Sequence, residues 1–113
     1  MFANIYRGKK ILLTGHTGFK GTWLTTWLLH LGANVIGVSK DIPTNPSMFN
    51  ILKLSDKIQN VVLDIRNFKD ISKVISDNKP DFVFHLAAQA IVSTSYTDPF
   101  ETISSNTMGT TNI

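Results

Sequence analysis

The chain contains no cysteine, which excludes disulfide staples and thiolate metal sites. No apolar run approaches the length of a membrane span, and residues 1–10 lack the apolar core of a signal peptide. These absences make a cytoplasmic protein without a membrane partner the expectation. Charge of one sign is also scarce, since 11 Lys and Arg against 8 Asp and Glu leave a net +3. The cations are scattered (Lys9, Lys10, Lys53, Lys57, Lys69, Lys73, Lys79) with acids among them, so no nucleic-acid-binding stripe forms. The three histidines have no metal-ligand spacing, and no metal is expected. What remains, 42% hydrophobic and 17% charged residues, reads as globular rather than disordered. A chain of 113 residues can build one core, burying roughly two-thirds of its unfolded surface.

The most informative stretch runs from Lys9 to Thr22. The apolar run Ile11-Leu12-Leu13 stops at Gly15, and Gly18 and Gly21 follow at three-residue intervals before helical spacing begins. This is the pattern of a buried strand, a tight turn and a helix start. Gly15 permits the turn, Gly18 lets backbone approach a pyrophosphate, and Gly21 lets the helix pack closely on the strand. The free amides of the helix's first turn would face the anion. Two other readings stay open at this point. The stretch nearly spells a P-loop, but Lys20 precedes Gly21 and is displaced from the position that reaches β- and γ-phosphates. A structural turn without a ligand is the other.

Downstream, Trp23, Leu24, Trp27, Leu28 and Leu31 recur at helical spacing and predict an apolar stripe in which both tryptophans pack into the core. Gly32 reads as a left-handed C-cap, and Val35-Ile36-Gly37-Val38 as the second strand. In the looser segment that follows, Ser47 caps one short helix through Leu54. Val61-Val62-Leu63 is a third strand ending at Asp64-Ile65-Arg66. Asn67 caps a helix carrying Phe68, Ile71, Val74 and Ile75, closed by Asn78-Lys79-Pro80. Phe82 to Leu86 forms a fourth strand entering Ala87-Ala88-Gln89. Asp98-Pro99-Phe100-Glu101 has the cap, proline and acid of a helix start, and a last helix runs from there to the end. Strands alternating with helices imply an α/β, Rossmann-type doubly wound parallel sheet in the order 3-2-1-4. The apolar fourth strand has no following element to cover it, and the last helix has no C-cap. The expectation is therefore the truncated, N-terminal half of a dinucleotide-binding domain over residues 1–113, with no second domain.

Three further segments fall at the carboxyl ends of strands, where open α/β sheets bind ligands: Asp64-Ile65, Leu86-Ala87-Ala88-Gln89-Ala90, and Asn106 in Asn106-Thr107-Met108-Gly109-Thr110. Together with the T-G-x-x-G-F-x-G turn they resemble the front half of the extended short-chain dehydrogenase/reductase family, over nearly the whole chain. The segments Gly15 to Leu24, Asp41 to Phe49, His85 to Gln89 and Ser95-Tyr96-x-x-Pro99 resemble the branch of that family that dehydrates CDP-glucose. The resemblance implies that backbone groups of Thr17, Gly18, Phe19 and Lys20 hold the pyrophosphate of NAD, with Gly15 and Gly21 in the same cofactor site. It implies that Asp64 accepts from the adenine amino group beside Ile65, and that Leu86, Ala87, Ala88, Gln89 and Ala90 line the route to the nicotinamide ribose. Asn106 would hold the last turn of the site. Thr94 and Ser95 would approach the substrate. The acid expected to hold the adenosine ribose is Asp41, two residues past the usual place, with Lys40 between. An acid here bonds the ribose 2′-OH and repels a 2′-phosphate, whereas a lysine attracts one; the resembled branch carries its Asp at this later position, so NAD is expected.

Plainer readings stand beside these. Asp64 can cap the turn after strand three, and Asn106 can be a surface amide. His30 and His85 are taken as structural, while His16, lying in the turn, is a candidate phosphate contact. The implied activity is a lyase of nucleotide-sugar metabolism that turns CDP-glucose into CDP-4-keto-6-deoxyglucose and water by transient hydride transfer to NAD, serving polysaccharide biosynthesis. An epimerase or reductase of the same family and a non-catalytic NAD-binding fragment are the alternatives, and a homodimer of the full-length protein is left open. The family's catalytic Tyr-x-x-x-Lys is expected beyond Ile113, which would leave this chain alone inactive. Tyr6 and Lys10 have that spacing but precede the first strand, at the wrong end of the sheet.

Overall fold

The computed structural model describes all residues, Met1–Ile113. Four parallel strands, β1 (Lys10–Thr14), β2 (Asn34–Ser39), β3 (Gln59–Val62) and β4 (Phe82–His85), form one sheet in the order β3-β2-β1-β4, as expected from the alternation of elements. The register sets Thr14 opposite both Val38 and His85, and Ser39 opposite Val62. All four carboxyl ends therefore open on one side, where ligands of this architecture bind. The helices are α1 (Phe19–His30), α2 (Met48–Ile51), α3 (Phe68–Asn78), α4 (Val92–Thr97), α5 (Pro99–Ile103) and α6 (Gly109–Asn112). The sequence pattern did not reveal α4. A π-helical segment, Ser104–Met108, joins α5 to α6, so the expected last helix is present but wider in its middle. No helix is long and apolar enough to cross a membrane.

Side chains alternate across each strand, and the core is divided accordingly. On one face Ile11, Leu13 and Val35 pack with Leu28 and Ala33; on the other Leu12, Ile36 and Val38 pack with Ile65 and Ile71. The capping signals operate as read. Ser47 Oγ accepts from Asn50 N, Asn67 from Asp70 N and Asp98 from Glu101 N. Gly32 (φ 81°) and Lys79 (φ 47°) take the left-handed conformation after their helices. The short helix after Ser47 ends earlier than expected, at Ile51, with a 3₁₀ turn at Leu54–Asp56. Tyr6 lies against Phe82 at the sheet's amino end, and Lys10 is the first residue of β1, so this pair is remote from the strand tips.

The strand expected at Val61-Val62-Leu63 lies earlier, at Gln59–Val62, and the expected burial of the tryptophans fails. Trp23 and Trp27 are 58% and 45% exposed, and the buried face of α1 is Gly21, Thr22, Thr25 and Leu28. Small residues take the inward positions beside the glycine turn, and farther along Leu28, with Leu24 and Leu29 partly buried, supplies the apolar contact with the sheet in place of the tryptophans. The helix's buried hydroxyls are satisfied locally, Thr25 Oγ1 donating to Gly21 O (2.8 Å) and Thr22 Oγ1 to His16 O (3.1 Å), which makes their burial inexpensive. Trp27 instead meets the ring of Phe2, 5.5 Å away.

Candidate dinucleotide-binding site

The turn between β1 and α1 is built on glycine for three different reasons. Gly15 has φ 76°, and a Cβ there would sit 2.8 Å from Ala87 N and Leu86 C; it admits a conformation and a close approach closed to other residues. A Cβ on Gly21 would lie 1.9 Å from Gly15 O. Gly18 differs, because its Cβ would make only an ordinary 3.5 Å contact with Gly15 O. The protein's own packing demands glycine at the first and third positions and not at the second. Amides follow the same division. Gly15 N donates to Val38 O and Gly18 N to Gly15 O, and Thr22 N to Gly18 O. The amides of Thr17, Phe19, Lys20 and Gly21 have no partner in the protein. They form a cradle of donors at a helix start, suited to an anion.

That cradle opens on a cleft of about 520 Å³ at the strand tips. Its wall includes Gly15, Thr17, Gly18, Phe19, Lys20, Gly21, Asp41, Asp64, Ile65 and Leu86 to Ala90, so nearly every residue singled out for the cofactor borders one space. Asn106 is not on the wall. It clamps the wall from behind, accepting from Gln89 N (2.7 Å) and donating to Gln89 O (3.0 Å). The π-helical segment that carries it is a common device at functional sites. Thr94 and Ser95 stand on α4 just past Ile91, which ends the cleft's rim, and Ser95 Oγ donates to Val92 O (2.6 Å).

The turn's other end is held by polar contacts. Thr17 Oγ1 donates to Asp41 O (2.6 Å), fixing the backbone after β2 to the glycine turn. Thr14 Oγ1 accepts from the amides of Leu86 and Ala87 (3.1 Å each). Its own proton is left for His85 Nδ1 at 2.6 Å. His85 Nε2 then donates to Thr110 Oγ1 (2.9 Å), which donates to Asn106 O (2.6 Å). Every proton in this chain has one direction, and burial holds the His85 pKa below its ordinary value, keeping the ring neutral.

His16 faces away from the cleft. Its ring is fully buried, edge-on to Phe49 at 5.2 Å, and lies so flat on Gly37 that a Cβ there would come within 2.4 Å of the imidazole. Nε2 meets Asn60 Oδ1 at 2.6 Å and Nδ1 meets Ser39 Oγ at 3.2 Å. Desolvation lowers its pKa, partly opposed by the Asn60 contact. The candidate phosphate contact is a structural residue.

Asp64 realises its plainer reading while bordering the cleft. Its carboxylate accepts from Arg66 N (2.9 Å) and from Arg66 Nε and the guanidinium. The Arg66 hydrogen bond holds the Asp64 pKa down despite desolvation. Sequence reasoning missed Glu101 on the cleft's wall and Arg66, which bonds to it and to Asp64. Glu101 was legible only as the acid of a capping pattern, yet its side chain does not return to the cap. It reaches Lys40 (3.1 Å) and Arg66 (2.7 Å), joining the turns after β2 and β3 to α5. Only residues far apart in sequence supply this contact, so no local signal announces it.

A family profile described as GDP-mannose 4,6 dehydratase matches residues 12–113. The chain is 47% identical over 110 residues to CDP-glucose 4,6-dehydratase of Salmonella typhimurium, covering 97% of this chain and 31% of that protein. Among solved structures, an epimerase of Methanothermobacter thermautotrophicus superposes with TM-score 0.82 at 31% identity, covering 96% of this chain and 31% of the other. UDP-glucose 4-epimerase of Thermus thermophilus in complex with NAD superposes with TM-score 0.79 at 27% identity, over 91% of this chain and 32% of that one. The chain thus spans about a third of the length of these relatives. A glycine turn with unpaired amides, a shared cleft at four strand tips and a profile match over nearly the whole length agree, and the chain belongs to the GDP-mannose 4,6 dehydratase family of extended short-chain dehydrogenase/reductases.

Proposed function

We propose that this chain is the cofactor-holding N-terminal part of a nucleotide-sugar dehydratase that converts CDP-glucose to CDP-4-keto-6-deoxyglucose and water. The observation that carries the cofactor reading is Gly18, whose missing side chain no neighbour in the protein requires and which borders a cradle of unpaired amides. The choice of CDP-glucose rests on the 47% identity to the Salmonella enzyme. NAD supplies a hydride acceptor for the sugar. The chain's own residues bind and orient it. Amides of Thr17, Phe19, Lys20 and Gly21 donate to pyrophosphate oxygens. Asp41, tied to the turn through Thr17, accepts from an adenosine ribose hydroxyl. Ile65 covers the adenine, and Asp64 shares its carboxylate between the adenine amino group and Arg66. Leu86 to Ala90, braced by Thr14 and Asn106, form the wall toward the nicotinamide ribose and keep water from it. Thr94 and Ser95 offer hydroxyls to the sugar.

The test has two stages. Titrating NAD into the chain while following thermal unfolding reads cofactor binding, with a rise in melting temperature expected. Incubating the full-length protein, of which this chain is proposed to be the N-terminal part, with CDP-glucose and following the 4-keto product by mass spectrometry reads the reaction. A second reading, an NAD-dependent nucleotide-sugar epimerase, is favoured by the superpositions on epimerases. An epimerised sugar of unchanged mass would establish it, whereas loss of water would establish the dehydratase.

A further inference from the structure

The adenosine corner has two cations that a phosphate could use, Lys40 on the cleft's wall and Arg66 bonded to the wall residues Asp64 and Glu101 from outside the lining. Lys40 follows β2, where the ribose of a dinucleotide lies in doubly wound folds, and Arg66 follows β3. A single carboxylate, Glu101 from α5, spans both, with Oε1 on Lys40 at 3.1 Å and Oε2 on Arg66 at 2.7 Å. Ser105 Oγ donates to Oε1 as well (3.2 Å), fixing the carboxylate between the cations. Contact with Lys40 first, and with Ser105 and Arg66, holds the Glu101 pKa below its ordinary value. At this corner Lys40 and Arg66 stand against three carboxylates, those of Asp41, Asp64 and Glu101. A phosphate on the adenosine 2′-oxygen would meet net negative charge and occupied cations. Without Glu101 the charges would balance, and a lysine head and one face of a guanidinium would become available to that phosphate.

We propose that Glu101 is a specificity-determining residue that selects the unphosphorylated dinucleotide by occupying Lys40 and Arg66; this rests on the cofactor reading above. Affinities for NAD and for its 2′-phosphorylated counterpart, NADP, are measured by calorimetry on the chain, on Glu101→Gln and on Glu101→Ala, each checked for a cooperative thermal transition. Two substitutions are used so that misfolding of one leaves the other as the test. The ratio of NADP to NAD affinity should rise by at least about tenfold, the worth of one charge-assisted contact. Adding Lys40→Gln to the responding variant should abolish most of that gain. An unchanged ratio in a folded variant that still binds NAD, or a gain that survives Lys40→Gln, overturns the assignment of Glu101 while leaving the cofactor reading intact. Failure of the parent chain to bind either nucleotide overturns both.

Discussion

Replacing Gly18 and Gly21 by alanine, one at a time, separates a turn built for a ligand from one built for itself. At Gly21 the new methyl would stand 1.9 Å from Gly15 O and 2.8 Å from His16 Cα. These are backbone atoms, so the first turn of α1 must move. Overpacking of this kind costs about 1–3 kcal/mol, and in a domain near this size each kcal/mol lowers the melting temperature by roughly 4–8 °C. At Gly18 the methyl meets nothing closer than 3.5 Å, and φ −75°, ψ 175° is open to alanine. Alanine is a poorer N-cap than glycine, but it also reduces the entropy of the unfolded chain by about 0.4–1 kcal/mol. The two effects oppose, and stability should stay within about 1 kcal/mol of the parent. NAD affinity should nevertheless fall by about tenfold or more, because the methyl stands where the pyrophosphate must approach. Thermal unfolding with and without NAD reads both quantities in one experiment. A Gly18→Ala chain that binds NAD like the parent refutes the reasoning and returns the turn to a structural role.

Three further outcomes follow from the packing. Burial depresses the pKa of both His16 and His85, so as pH falls the unfolded rings take protons first, near pH ~6.5. Stability is therefore whole above that pH and declines below it toward the lower folded-state values; urea midpoints at about pH 7.5 and 5.5 check this, and equal midpoints would contradict it. Gly37→Ala should destabilise the chain by about 1–3 kcal/mol through contact with the His16 ring. His16→Ala should relieve much of that cost, so a double-mutant cycle showing no coupling would discount the contact. Trp23→Ser should change stability by only about 0.5 kcal/mol, against about 2–5 kcal/mol for Leu28→Ala, and equal denaturant midpoints for the two variants would place the tryptophan in the core after all.

Local chemistry was sufficient for much of this molecule. Helix boundaries at Ser47, Asn67 and Asp98 follow from side chains that bond an amide three residues on, and such contacts need nothing distant. The strand order follows from βαβ handedness, and with it the gathering of Asp41, Asp64 and Leu86 to Ala90 at one end of the sheet. The apolar spacing of α1 misled because period reports which residues share a face and not which face a crowded turn can accept. Thr22 and Thr25 are inside for their size and self-satisfied hydroxyls, and Leu28 meets the sheet in place of the tryptophans.

Composition and order of residues by themselves determined an α/β sheet with a glycine turn at its ligand-binding edge, because propensity, capping and chain handedness act over a few residues or one crossover. Only the tertiary structure decided that His16 turns inward onto Gly37, that Asn106 braces Gln89 from behind, and that Glu101 spans Lys40 and Arg66. These contacts join residues 17 to 61 positions apart. Which polar group meets which depends on the distances at which strands and helices finally stack, and no local pattern encodes that.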